Sequence, residues 1–320
     1  MLRMLTLAGS LAFGAVLALP GQHSGRLVKV YGDLATADRV AIVVPGADTT
    51  VATFEASTKR PGGAARALLA EAAKVGHGER LAVIAWLGYD APPTWSLGAI
   101  TDTAAVEGAK ALRRTVMELH ARTSAPIALL CHSYGSVVCA KAGPDLPVAD
   151  VALFGSPGID ASSGYASSGY ASSGRAPSSH ATSSRSPSDR ALSDHPPSDH
   201  PPSGRAPSAQ GPSDGAASDH HLSDASYRPP SDHGVSGLAP SVTRVWAGVG
   251  GSDWIRFVPK VRLGPLGFGA DALSPGYGAR VFEVGPGGHS DYFAPGTPSL
   301  RNLTLIALGR PGDVTAAAPA

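Results

Sequence analysis

The stretch Pro126-Ile127-Ala128-Leu129-Leu130-Cys131-His132-Ser133-Tyr134-Gly135-Ser136 limits what this chain can fold into more than any other. An apolar run ends in a small, polar, Gly-bearing turn, and a helix-compatible segment, Val137 to Lys141, follows at once. The pattern reads as a buried strand, a sharp turn and a helix. Such a turn can hold one Ser at its apex, on a strained backbone that pushes the hydroxyl out above a sheet. Small residues flank the apex because strand and helix approach closely there. Here Cys131 stands where the G-x-S-x-G pattern has its first Gly, and Gly135 fills the last place. From these five residues alone, an ordinary connection that happens to carry a Ser is the plainer alternative.

The surrounding chain supplies the sheet this turn needs. Arg39 to Val44 and Leu81 to Trp86 are short apolar runs of the kind that forms strands covered on both faces, and Leu27 to Tyr31, Ile127 to Cys131 and Asp150 to Phe154 read as further short strands. Between them lie helical patterns. Ala65, Leu68, Leu69, Ala72 and Val75 share one face of Gly63 to Val75. Ala105, Ala109, Leu112, Val116 and Leu119 share one face of Thr101 to His120. Strand alternating with helix predicts a mostly parallel sheet with helices on both faces. The pattern resumes with strands at Val242 to Ala247 and Ala279 to Val284. A closing helix is predicted behind Thr297-Pro298, with Leu300, Leu303 and Ile306 inward and Gly309 at its end. The tail after residue 310 reads as loose. The ordered domain is therefore expected in two parts, residues 27–160 and 241–310.

Between those parts the pattern stops. From Ala161 to Ala225 the chain is a five-residue repeat with Ser in the third place of all thirteen pentads, from Ser163 to Ser223. It has too few large apolar residues to offset the entropy of ordering, so residues 161–240 read as a disordered insertion. Six of the eleven His lie there, often beside Asp, but their spacing matches no defined metal site. At the other end, Arg3 and the apolar run Leu5 to Leu19 resemble a signal peptide over residues 1–22, with Pro20 crowding the cut. Export or cell-envelope association is the expectation. An uncleaved anchor, or a cytoplasmic protein with a non-functional leader, is the alternative. The net charge of +1 gives no reason to expect nucleic acid or an anionic membrane surface as partner, and membrane contact is expected only through the leader. Two cysteines, Cys131 and Cys139, make no disulfide framework and read as small buried side chains.

A Ser at such a turn needs a base to take its proton, and the base needs a carboxylate to orient it. In this arrangement the three follow in the order Ser, Asp or Glu, His, on loops at the carboxyl edge of the sheet. Outside the repeat the His residues are His23, His77, His120, His132 and His289. Only His289 falls in a Gly-rich loop after the last strand, while His132, inside the Ser turn, must point away from its neighbour. For the acid, Asp253 follows the strand before that loop and is preferred. It could instead cap a short helix. Asp160, after the strand at Val151 to Phe154, is the alternative acid, and Asp271 lies mid-connection. An oxyanion hole would use the amide of Tyr134 and one from Pro45-Gly46-Ala47-Asp48, with Ala47 or Asp48 donating. Trp86 to Pro92 ends a strand at the same edge, so Tyr89 and Asp90 are expected to wall the substrate pocket. Structural packing of these aromatics is the competing reading.

With these residues in place, the chain resembles an uncharacterised actinobacterial α/β-hydrolase family formerly catalogued as a domain of unknown function. The matching stretches include Val44-Pro45-Gly46, Ala85 to Pro92, His132 to Ser136, Gly155-Ser156-Pro157-Gly158, Gly278 to Phe282 and Gly288 to Phe293. The resemblance implies the α/β-hydrolase fold and serine-hydrolase chemistry, and no particular substrate. The expected activity is cleavage of a small-molecule or lipid-like acyl ester by Ser133, His289 and Asp253 through an acyl-enzyme, with no cofactor or metal. Amides and thioesters stay open. The alternative is a catalytically inactive surface or binding protein on the same fold, with the repeat as spacer or adhesive segment.

Overall fold

A computed structural model of the chain describes residues 25–160 and 243–318. The predicted leader and the predicted repeat insertion lie outside the described residues. The apolar runs form β1 (Leu27–Tyr31), β2 (Arg39–Val44), β3 (Leu81–Leu87), β4 (Ile127–His132), β5 (Asp150–Phe154) and β6 (Arg244–Gly248). A small hairpin, β7 (Arg262–Leu263) and β8 (Leu266–Gly267), precedes a two-residue β9 (Arg280–Val281). Seven strands make one sheet in the order β1-β3-β2-β4-β5-β6-β9. Only the β1–β3 pair is antiparallel.

Burial explains the unbroken apolar runs. Helices α1 (Pro61–Val75) and α4 (Pro298–Ala307) cover one face, and α2 (Thr103–His120) and α3 (Tyr134–Ala142) cover the other. Every residue of β3 and β5 is buried. This is the α/β-hydrolase architecture. Its central registers, Val44 opposite Cys131, His132 opposite Phe154 and Phe154 opposite Gly248, bring the ends of β2, β4, β5 and β6 level. The loops after those strands therefore share one edge, as expected where parallel strands end beside a crevice. At the opposite edge, buried Asp150 takes Arg39 (2.9 Å), Arg244 (2.7 Å) and the Trp246 indole N–H (3.0 Å), tying the starts of β2, β5 and β6 together.

Among the boundaries that differ from the sequence reading, three shape the Ser turn and the sheet edge. Helix α3 begins at Tyr134 rather than Val137, because Ser133 itself occupies its N-cap position. The last strand pairs with β6 only over Arg280–Val281. Beyond it the chain turns to a different partner, which corrects the expectation of a loose tail. Phe282 bridges Ala316, the Glu283 N–H donates to Thr315 O (2.9 Å), and the Ala317 N–H donates to Val281 O (3.0 Å). Asn302 of α4 holds this tail from above, accepting from the Thr315 N–H at 3.0 Å. An exposed sheet edge offers unpaired amides and carbonyls, and here the tail satisfies part of it. Helix α4 starts as predicted, with Thr297 Oγ1 accepting the Leu300 N–H (3.2 Å) and Pro298 behind the cap.

Candidate active site

Strand β4 delivers Ser133 to the level edge, and α3 leaves at once. Among the described residues only two non-glycines have positive φ, Asp48 and Ser133, and both are at this edge. Ser133 has φ 52° and ψ −125°, a backbone state that costs free energy and persists only where neighbours over-determine it. Two glycines allow the close packing that does so. A Cβ on Gly135 would lie 2.5 Å from Val44 O and 2.6 Å from Pro45 O, and one on Gly46 would lie 2.6 Å from Ser133 Cβ. The loop after β2 and the Ser turn thus pack backbone against backbone. The Tyr134 side chain fastens the turn from below: its hydroxyl donates to Thr101 O (2.7 Å) and accepts the Ala105 N–H (3.1 Å).

Cys131 and Cys139 are joined in a disulfide, with Cα atoms 6.4 Å apart. This corrects their reading as two separate buried side chains. The turn folds α3 back along β4, so residues eight apart in sequence meet face to face. The position where the pattern has its first Gly therefore carries a side chain bonded to the helix it would otherwise crowd.

Ser133 Oγ lies 2.8 Å from His289 Nε2, and His289 Nδ1 lies 2.9 and 3.1 Å from the two Asp253 oxygens. An ionised carboxylate can only accept, so Nδ1 carries the proton and Nε2 is left to accept from the Ser133 hydroxyl. Asp253 is fully buried and takes two further donors, the Ile255 N–H (2.8 Å) and the Tyr292 hydroxyl (2.5 Å). Burial pushes this carboxyl up, but the hydrogen bonds from His289, Tyr292 and Ile255 outweigh it and hold it below the usual range. Burial and the Asp253 carboxylate in turn raise the Tyr292 phenol well above its usual value, so it stays a donor.

The alternative acids are elsewhere. Asp160 pairs with Arg262 at 3.1 Å, and Asp271 accepts the Leu273 N–H at 3.0 Å. Of the two candidate oxyanion donors in the β2 loop, the Asp48 N–H is taken by Pro92 O (3.1 Å), whereas the Ala47 and Tyr134 amides have no acceptor among the described residues. Asp48 instead holds the loop in shape. Its carboxylate accepts the Thr94 N–H (2.9 Å) and hydroxyl (2.5 Å), and its carbonyl accepts from Arg60 (2.6 Å).

Tyr89 and Asp90 do not line the cavities at the site. Tyr89 is buried beneath the β2 loop and donates to Pro45 O (2.8 Å), and exposed Asp90 pairs with Arg26 (3.1 Å). Strand β3 runs one residue further than predicted, to Leu87, and Tyr89 packs in the core against Trp86 and Tyr134. The wall comes from further along the same loop. A groove of about 550 Å³ ends on Ser133 and His289 and is walled by Trp95, Leu97, Ile100, Pro157, Trp254 and Phe268. On the other side of Ser133 is a polar pocket of about 220 Å³ with Asp48, Lys59, Arg60 and Tyr292 on its walls. Lys59 is paired with Asp291 (3.3 Å).

Two residues gain roles here that the sequence reading did not assign. Tyr292 holds Asp253, as above. His132 points away from Ser133, as expected, but its Nε2–H donates to the backbone carbonyl of His289 (2.7 Å) and so fixes the loop that carries the base. Burial, and then the neighbouring His289, push the His132 imidazole down to about 3, so it is neutral at physiological pH. The available signal was the pairing of His132 with Ser133, and of Tyr292 with His289 three residues earlier, within short Gly-bearing loops.

A family model described as alpha/beta hydrolase matches residues 20–175, which include Ser133 and the β2 loop but neither Asp253 nor His289. Uncharacterized proteins of Mycobacterium tuberculosis and Mycobacterium bovis are each 35% identical over 136 residues, 40% of this chain and 51% of theirs. The chain thus spans about half the length of the curated relatives it matches. Among solved structures, esterase PE8 is similar over 87% of this chain and 95% of its own, at 12% identity and a TM-score of 0.41. MGS-M1, an alpha/beta hydrolase enzyme from a Medee basin deep-sea metagenome library, is similar over 47% and 59%, at 15% identity and a TM-score of 0.31. By its sheet topology, its Ser-bearing turn and the matching family model, the chain has the α/β-hydrolase fold.

Proposed function

We propose that the chain is a serine hydrolase that cleaves carboxylic esters through an acyl-enzyme. The observation that carries this reading is the unbroken hydrogen-bonded series from Ser133 Oγ through His289 to buried Asp253, beside the unpaired Ala47 and Tyr134 amides. Ser133 Oγ attacks the carbonyl carbon while His289 Nε2 takes its proton. Negative charge then develops on the carbonyl oxygen, and the two amides stabilise it there. His289 returns the proton to the leaving alcohol, and water repeats the sequence to release the acid. Asp253 holds the imidazole in the Nδ1–H form and stabilises its charged state. The groove of about 550 Å³ suits an apolar acyl chain, and the polar pocket with Arg60 suits the alcohol. A complete series weighs against an inactive scaffold. The disulfide favours an oxidising compartment, and so supports export.

A fluorophosphonate probe tests the reading. The folded wild type should label and Ser133→Ala should not. A folded wild type that fails to label removes the enzyme reading, and a labelled Ser133→Ala removes the assignment of the nucleophile. An ester chain-length series on the purified protein then reads the size of the acyl site.

A further inference from the structure

Large apolar side chains are costly to leave in water as a contiguous patch, and such patches mark docking surfaces. Among the described residues, eight of the eleven exposed large apolar side chains fall in two segments, residues 95–100 and 254–266. Trp95 is 96% exposed, Leu97 76%, Phe257 87% and Leu263 73%. Trp95, Leu97 and Ile100 of the first and Trp254 and Val258 of the second line the groove that ends on Ser133, and the other exposed residues of the second segment follow just outside it. An ion pair also joins them, Arg262 of the second to Asp102 just beyond the first (3.1 Å). The exposed residues therefore form one rim around one mouth.

Composition, access and charge narrow what covers that rim. The chain's own repeat is a poor match: residues 161–225 contain only Tyr165, Tyr170, Leu192 and Leu222 as large apolar side chains. A second copy seated on the rim would close the only apolar approach to Ser133 among the described residues. A lipid surface would instead deliver an apolar ester through the mouth. Charge points the same way. Between Trp254 and Ala270 there is no carboxylate; of the cations there, Arg262 is paired with Asp102 and Asp160 and Lys260 donates to Ile255 O, while Arg256 is exposed beside Phe257. Trp, Phe and Leu beside cations are the side chains that settle at a membrane–water interface. The net charge of +1 hides this, because it averages over the whole chain.

We propose that the rim formed by Trp95, Leu97, Ile100, Phe257, Leu263 and Leu266 docks on an anionic phospholipid surface and feeds the groove from it. The proposal rests on the serine-hydrolase reading for its purpose but is read by a separate measurement. The full chain is sedimented with vesicles of phosphatidylcholine containing about one third phosphatidylglycerol. The wild type should sediment with them. Phe257→Ser/Leu263→Ser, which changes two exposed residues outside the groove, should lower partitioning about tenfold or more. Its probe labelling and its turnover of a short soluble ester should stay at wild-type values. Phe257→Trp/Leu263→Phe should restore binding. Wild type that labels but does not sediment overturns the docking surface and leaves the hydrolase reading standing; sedimentation without labelling does the reverse. Equal partitioning of wild type and the Ser variant overturns the proposal too, because another part of the chain would then hold the lipid. A wild-type dimer that the variant dissolves, with no vesicle binding, assigns the rim to a second copy instead.

Discussion

Replacing His132 by Gln should flatten the acid side of the stability profile. The imidazole is held down at about 3 by burial and by His289, against 6.5 in an unfolded chain. Between those values the unfolded state binds one more proton than the folded state. Stability therefore rises with pH through this window, is complete above 6.5, and is lost as pH falls toward 3. One proton corresponds to about 1.4 kcal/mol per pH unit, so His132 alone removes about 2 kcal/mol on going from 6.5 to pH 5. Gln cannot titrate, and its amide can still donate to the His289 carbonyl. Urea unfolding of wild type and His132→Gln, followed by Trp fluorescence from about pH 7.5 to about pH 5, measures the difference directly. The wild type should lose about 2 kcal/mol more than the variant over that range. His132→Leu should be equally flat but less active, because it leaves the His289 carbonyl without its donor. Parallel losses in wild type and His132→Gln would refute the reasoning, since His132 would then take up its proton as readily folded as unfolded.

Asp253→Asn should lower kcat by about 10³- to 10⁴-fold with little change in KM, while Asp160→Asn stays near wild type; steady-state kinetics on one ester separates the two acids. Tyr292→Phe removes a donor to Asp253 and strands the Gly250 N–H, which the hydroxyl accepts at 3.2 Å, so unfolding stability should fall by about 1.5–3 kcal/mol and kcat with it. Reduction should expose two alkylatable thiols in denatured protein, where none reacts beforehand, and should cost about 2.5 kcal/mol of stability for a crosslink spanning eight residues.

Much of the frame was legible because its signals are local. Each buried strand is an unbroken apolar run, each helix shows its inward face by spacing, and Thr297-Pro298 marks a helix start within two residues. Connection order then put Ser133, Asp253 and His289 on loops at one sheet edge, and the hydrophobic pattern could take the reading no further. Which carboxylate reaches His289 depends on contacts across 36 residues for Asp253, and the base reaches Ser133 across 156. Backbone periodicity does not encode such contacts. The pocket wall failed for a related reason: Tyr89 is held in the core by its hydrogen bond to Pro45 O, a contact across 44 residues.

By itself, then, the sequence determined the alternating sheet-and-helix frame, the Ser-bearing turn at its edge and the order in which the partners follow. Tertiary structure alone decided that Asp253 rather than Asp160 meets His289, and that Ala47 rather than Asp48 keeps a free amide. It also decided that His132 and Tyr292 brace the base and the acid, and that Cys131 bonds Cys139. The physical reason is the same in each case. Burial patterns are written residue by residue, whereas hydrogen bonds and disulfides depend on where separate loops converge after the sheet has closed.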